Sequence, residues 1–191
     1  MKGSNPDGFS LLEVMAAAGI GMILSATIIP NMVNGISTMQ MRSNMTSLAG
    51  VVQNCRMLAV RNNRVMSTHF SATPTGVLAY VKSASDNSSV AKSDSQVELE
   101  APVSQVISPS GAGAPTAMDS STLGFTPQTG DPSFNTSGLP CVYSSGSICS
   151  NFGFVYYFHD SRPAPQTGWA ALTISPAGRL KKWYWNGAWT D

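Results

Sequence analysis

His69 and His159, with Cys55, Cys141 and Cys149, are the whole stock of histidine and cysteine in this chain. Their spacing builds no Cys-x-x-Cys pair and no His-Glu-x-x-His helix, so no metal site is expected. His159-Asp160 in a serine-rich chain offers two parts of a hydrolytic triad, but no Gly-x-Ser-x-Gly elbow supplies the nucleophile. Gly19-Ile20-Gly21 lies in an apolar run and Gly111-Ala112-Gly113 in a loop-like stretch, so neither reads as a phosphate cradle. The reading is of a protein without catalytic residues and without a cofactor. Two features still carry chemistry: an acid placed inside an apolar segment, Glu13, and a cluster of cations among aromatics at the C-terminus.

The elements that position them follow from composition. Of 191 residues only 11% are charged, against about 25% in a typical soluble domain, and the net charge is +1. That balance excludes a bulk electrostatic grip on nucleic acid but leaves a local one open. The charges are also segregated. From Val14 to Lys82 there are basic residues (Arg42, Arg56, Arg61, Arg64, Lys82) and no acid. From Ser83 to Asp160 acids dominate, with Lys92 the lone cation; after that Arg162, Arg179, Lys181 and Lys182 face Asp191. Such asymmetry suits oriented contacts between copies or partners, or simply solvated faces.

Val14 to Met41 is a run of 28 uncharged residues, about 42 Å as a helix. With Phe9, Leu11 and Leu12 in front, its apolar part approaches the roughly 20 residues that cross a hydrocarbon core. A membrane helix over 9–30 is expected. Ala17 and Gly21 form a small-xxx-small pair that permits close helix contact, and Pro30 removes a backbone donor and predicts a break or kink. Glu13 costs a few kcal/mol in a membrane span, unless it snorkels to the interface or a cation meets it.

Gly8-Phe9-Ser10-Leu11-Leu12-Glu13-Val14 resembles the processing signal of type IV pilins and type II secretion pseudopilins. The short leader 1–8 with Lys2, the apolar run after Glu13 and Pro30 fit the same class. The resemblance implies cleavage between Gly8 and Phe9 by a prepilin peptidase, N-methylation of Phe9, and pairing of Glu13 with the Phe9 amine of a neighbouring subunit. It implies a single-pass protein of the bacterial inner membrane with its head in the periplasm. From there it would be drawn into a type IV pilus or pseudopilus by an assembly platform with a separate ATPase. Its partners would then be other pilin or pseudopilin subunits and membrane lipid.

Beyond the membrane the helix is expected to continue over 31–64. Met41, Met45, Leu48, Val52, Cys55 and Ala59 recur at steps of four and three, an apolar stripe for packing on a head, while Thr46, Gln53, Arg56 and Arg61 fall off it. Asn62-Asn63 is a plausible end, because Asn tolerates the left-handed cap. The stretch from Cys55 through Arg56, Ala59 and Arg61-Asn62 to Val65 resembles the helix end of GspH/FimT-type minor pseudopilins and minor pilins, although Asn54-Cys55 replaces a small residue there. A basic helix end favoured by the dipole reads the same.

The region 65–191 is read as a β-rich globular head, so the fold class is α+β, a long N-terminal helix packed on a β-sheet head. A first hairpin is expected from Val65–Phe70 and Val77–Val81, turning at 73–76. Weaker strands are expected at Gln96–Leu99 and Val103–Ile107, and stronger ones at Phe152–Phe158, Ala170–Ile174 and, after a turn at Pro176–Gly178, Leu180–Trp185. Ser83–Asp94 and Ser108–Thr122 read as loops. In an oxidising periplasm Cys141 and Cys149 are expected to form a disulfide, closing a short loop at a gain of about 2.6 kcal/mol and leaving Cys55 a buried thiol. The C-terminal Gly178-Arg179-Leu180-Lys181-Lys182-Trp183-Tyr184-Trp185 has two readings. It resembles the Gly-Arg-x-Arg tail of DNA-uptake minor pilins, with Lys181 replacing the second Arg, so that Arg179, Lys181 and Lys182 would touch DNA. Alternatively it is an amphipathic final strand.

Overall fold

A computed structural model describes the chain from Ser10 to Asp191, apart from residues 75, 87, 92–93, 101, 112, 129, 144–149 and 164–166 and the side chains at 27, 30, 31 and 150. It divides into two compact units, residues 1–37 and 38–191. Helix α1 (Leu11–Arg61) contributes to both and is assigned through Pro30, where the sequence leads one to expect a break or kink.

The second unit is a mixed fold of helix and antiparallel sheet. After α1 come β1 (Met66–Thr73), β2 (Gly76–Ser83), β3 (Gln96–Glu100) and β4 (Val103–Val106), then the short α2 (Ser120–Leu123). Four brief strands follow: β5 (Pro127–Gln128), β6 (Ser133–Phe134), β7 (Pro140–Val142) and β8 (Ser150–Asn151). The chain ends in β9 (Gly153–Asp160), β10 (Gly168–Ile174), β11 (Leu180–Trp185) and β12 (Trp189–Thr190). One sheet runs β3-β2-β1-β6-β7-β8 and the other β12-β11-β10-β9-β4, with β5 added in parallel to β9.

The stripe read from the sequence is the buried face of α1. Met45, Leu48, Val52, Cys55 and Ala59 are fully buried and Met41 nearly so. They form one core with Val77, Leu99 and Phe134 of the first sheet and with Phe154, Phe158, Leu172 and Ile174 of the second. Burying each large side chain contributes about 1.5–3 kcal/mol. A second, smaller cluster lies on the opposite face of the second sheet, where Met118 covers Tyr157, Ala171, Trp183 and Trp189. The Met118 N–H donates to Tyr157 Oη at 2.7 Å, satisfying a buried hydroxyl.

The expected loop 108–122 is corrected at its end. Asp119 caps α2 by accepting from Thr122 N at 2.8 Å, and Gly124 closes it in the left-handed region. The hydrogen bonds from Thr122 and Ser121 hold Asp119 down at about 2. The region after β2 is tied down by a lysine. Lys82, 6% exposed, donates to Ser88 Oγ at 2.6 Å and the Ser89 carbonyl at 2.8 Å, with Asp86 and Asp94 at 3.5 and 3.6 Å offsetting its charge. Asp160, also buried, accepts from Arg162 Nε on both oxygens at 3.0 Å, and Arg162 Nη1 reaches Gln40 Oε1 at 2.9 Å. That chain of bonds fixes the end of β9 against α1.

Helix α1 ends as its sequence leads one to expect. Asn63 sits at φ 49°, Arg64 N bonds Ala59 O at 3.2 Å and Asn63 N bonds Val60 O at 3.3 Å. This is the paired bonding of a Schellman end, which needs a left-handed residue at that place. Replacing Asn63 by Gly should leave stability unchanged or slightly raised, and Asn63→Val should lower it by about 1–2 kcal/mol. Urea unfolding of the two variants checks this; equal midpoints would deny that the cap conformation matters.

Candidate functional site

The N-terminal unit begins with a cap that sequence reasoning missed. Ser10 Oγ accepts from Glu13 N at 3.3 Å, and Glu13 Oε2 accepts from Ser10 N at 2.9 Å. This reciprocal pair is a capping box, and the Ser-x-x-Glu spacing was its signal. Glu13 therefore has a local use at the positive end of the helix dipole. Gly8 and Phe9 lie outside the described residues. From Leu11 to Met32 every large apolar side chain described is more than half exposed. Within this stretch Ser25 Oγ donates to the Gly21 carbonyl at 2.8 Å, so its hydroxyl is satisfied by the helix itself. A Cβ built at Gly19 or Gly21 meets nothing within 4 Å, so the surface there is open to close approach. Among the described residues no helix is long and apolar enough to cross a membrane; Thr27, Pro30 and Asn31, which divide the uncharged run, have side chains outside that description.

Lys181 and Lys182 sit on β11 with the alternation expected of an amphipathic strand. Leu180 and Tyr184 pack toward the core under α1, and Lys182 Nζ donates to Thr46 Oγ1 of that helix at 3.1 Å. On the other face Trp183 Nε1 donates to Thr173 Oγ1 at 3.0 Å, and Lys181 lies 3.8 Å over the Trp183 ring while bonding Asp191 at 2.9 Å. Lys181 holds the Asp191 carboxyl below its ordinary range, chiefly by that hydrogen bond. Arg179 is exposed just outside the strand. Between β11 and α1 runs an open groove of about 520 Å³ lined by Arg42, Thr46, Lys181, Lys182, Tyr184 and Asp191. Arg42 stacks over the Tyr184 ring at 5.4 Å. Three cations against one acid make the groove positive.

Arg56 positions this region. Its Nη1 donates to the Gly178 carbonyl at 3.2 Å, in the turn between β10 and β11. Its Nε and Cγ would also lie 3.2 and 3.3 Å from a Cβ at Gly138, in the turn between β6 and β7. Both glycines have positive φ, 80° and 74°. One arginine thus fills the space under a turn from each sheet, and a side chain at either glycine would intrude on it. Sequence reasoning had placed Arg56 off the apolar stripe, in a stretch that resembles the helix end of GspH/FimT-type subunits or serves as a plain basic helix end.

Cys141 is disulfide-bonded, and Cys149, its expected partner, lies outside the described residues. Cys55 is a free thiol in the core. Burial pushes it up to about 12, with Thr68 easing the shift, although by strict geometry Thr68 Oγ1 has no hydrogen-bond partner among the described residues. His159 Nε2 meets Thr167 Oγ1 at 3.2 Å and its ring stacks on Trp169 at 4.2 Å, while Asp160 is taken by Arg162. His69 Nδ1 meets Asp131 at 2.6 Å, with its ring stacked on Tyr80. No group of three or more His, Cys, Asp or Glu among the described residues could hold a metal ion.

Comparison with protein-family models, with curated proteins and with solved structures finds no match to this chain.

The Arg56 contacts make a testable geometry. Gly178→Ala places a methyl 3.3 Å from Arg56 Cζ and forces a left-handed alanine, a loss of about 1–2 kcal/mol from the backbone alone. Adding Arg56→Ala should recover the steric part and leave the backbone part. Unfolding of the single and double variants measures the coupling; strict additivity would deny the shared contact.

Proposed function

We propose that this chain is a structural subunit of the type IV pilin and type II secretion pseudopilin class, a minor pilin or pseudopilin, without catalysis or cofactor. A prepilin peptidase cuts between Gly8 and Phe9 and methylates Phe9. The segment 9–30 then holds the subunit in the bacterial inner membrane, with the head in the periplasm, until an assembly platform with its own ATPase draws it into a filament. The observation that carries this reading is the exposed apolar surface of α1 from Leu11 to Met32. A helix that leaves so many large apolar side chains exposed is stable only when lipid or neighbouring helices cover them. Each Leu or Ile left in water forfeits about 1.5–3 kcal/mol.

Glu13 fits this reading in two ways. In the single chain it caps its own helix through Ser10. In a filament its second oxygen is offered to the Phe9 amine of a neighbour, and an unpaired carboxylate there is penalised, which fixes registry. The alternative function, DNA binding at the C-terminus, draws on Arg179; Lys181 and Lys182 already serve Asp191, Trp183 and Thr46.

Intact mass and N-terminal sequencing of the protein from its native membrane test the pathway. A chain starting at methylated Phe9 is expected; one still starting at Met1 beside an active prepilin peptidase would sink the reading. Glu13→Gln separates the two uses of Glu13, since glutamine keeps the capping box and removes the charge. Membrane insertion should persist while the assembled fraction falls about tenfold, the weight of a 1.4 kcal/mol pairing. Assembly at the level of the unaltered chain would leave Glu13 a cap and nothing more.

A further inference from the structure

We propose that copies of this chain join head to tail through the open edges of the two sheets, β3 of one copy adding to β11 of the next. The inference rests on the assembly reading above for the presence of a neighbouring copy, and goes beyond it in naming which surfaces meet.

The backbone bonds define both edges. Val81 N bonds the Ser95 carbonyl at 2.9 Å, so in the alternation of an antiparallel ladder Val97 and Leu99 face β2 and Gln96, Glu98 and Glu100 face outward. Among the described residues no strand pairs with β3 on that side. In the second sheet Ser175 N bonds the Arg179 carbonyl at 2.9 Å, which turns the backbone N–H and C=O groups of Lys181 and Trp183 toward β10 and those of Leu180 and Lys182 away from it. The short β12 reaches only Tyr184 and Trp185. Among the described residues no strand pairs with β11 from Leu180 to Trp183 on that side, and this part borders the groove that holds Arg42 and Lys182.

Open edges recruit other strands, and charge on an edge normally guards against this. Here the guards have opposite sign. The exposed side chains of β3 are Gln96, Glu98 and Glu100; the other edge carries Lys182 beside Arg42. Two β3 edges repel, as do two β11 edges, while β3 against β11 attracts. Because the pairing joins two different patches, it propagates as a head-to-tail row instead of closing as a dimer.

The test uses the full chain with Glu98→Cys and Lys182→Cys, made separately and together. Cys55 stays silent at pH 8 because its buried thiol holds its proton to about 12. On oxidation, the mixed single variants should give a cross-linked dimer and the double variant a ladder, each at least tenfold above either single variant alone. Gln96→Lys and Glu100→Lys added to the Glu98→Cys chain should abolish its cross-link to a partner carrying Lys182→Cys. Equal yields from the single variants, or no product from the mixture, would overturn the edge contact. The state of the N-terminus is read from the same sample. Processed, assembled protein without the cross-link removes the edge contact and keeps the assembly reading. A cross-link in protein still starting at Met1 keeps the contact and removes the pilin pathway.

Discussion

The second unit hangs on one constraint: a single face of α1 serves as floor to two sheets. Met45, Leu48, Val52, Cys55 and Ala59 have no exposure at all, and the side chains over them come from both sheets. Among the described residues neither sheet has its own helix to cover it apart from the four-residue α2, so loss of this stripe would uncover both at once. That explains where the fold spends its long-range polar bonds. Arg162 to Gln40, Lys182 to Thr46, Arg56 to Gly178 and Asn54 to Ser95 each fasten a strand end or a turn to the flank of that helix. The apolar stripe supplies the free energy, and these bonds fix the angle and register at which it is used.

The legible parts of the fold were those whose signal is local. The 3.6-residue recurrence from Met41 to Ala59 depends only on the helix period, and it marked the buried face residue by residue. The limits of β11 were readable because Leu180 to Trp185 alternates between two differently packed faces. Asn63 was readable because cap chemistry acts within one turn. What stayed hidden depends on distant partners. Strands β5 to β8 have two or three residues each, too few for a period; β9 and β1 offer edges to β5 and β6, and β6 and β7 in turn offer them to β7 and β8. Arg56 looked like a charge for a helix end, since its partners Gly138 and Gly178 are distant in sequence. Lys82 gave no warning of burial, because its partners Asp86, Ser88, Ser89 and Asp94 lie in a stretch read only as loop.

Glu13 shows a different kind of limit. Its spacing from Ser10 was in plain view, yet its position before an apolar run drew attention to membrane cost instead of helix capping. The two are compatible in physical terms. A carboxylate has two oxygens and several lone pairs; one oxygen occupied by Ser10 N leaves the other for a cation. The cap also bears on the cost of burial, because a carboxylate already bonded to a backbone donor enters a low-dielectric site less unfavourably than a bare one. In the filament proposed for this chain, an acid at this place would be held by its own helix until a neighbour's amine completed its environment.

The charge map gives the clearest link from sequence to assembly. Acids concentrated between Ser83 and Asp160 and cations on either side would be unremarkable if they scattered on folding. They do not scatter evenly. Several acids serve local contacts: Asp86 and Asp94 hold Lys82, Asp160 holds Arg162, Asp119 caps α2, and Glu98 accepts from Thr73 Oγ1 at 3.2 Å. Glu98 and Glu100 lie exposed along one sheet edge, and exposed Arg42 and half-buried Lys182 border the other. A chain with so few charges gains little solubility from placing them in opposed rows, and edge protection alone would be served as well by a single sign on both edges. Opposite signs disfavour like-with-like pairing, and in the assembly proposed for this chain they would permit one heterologous pairing.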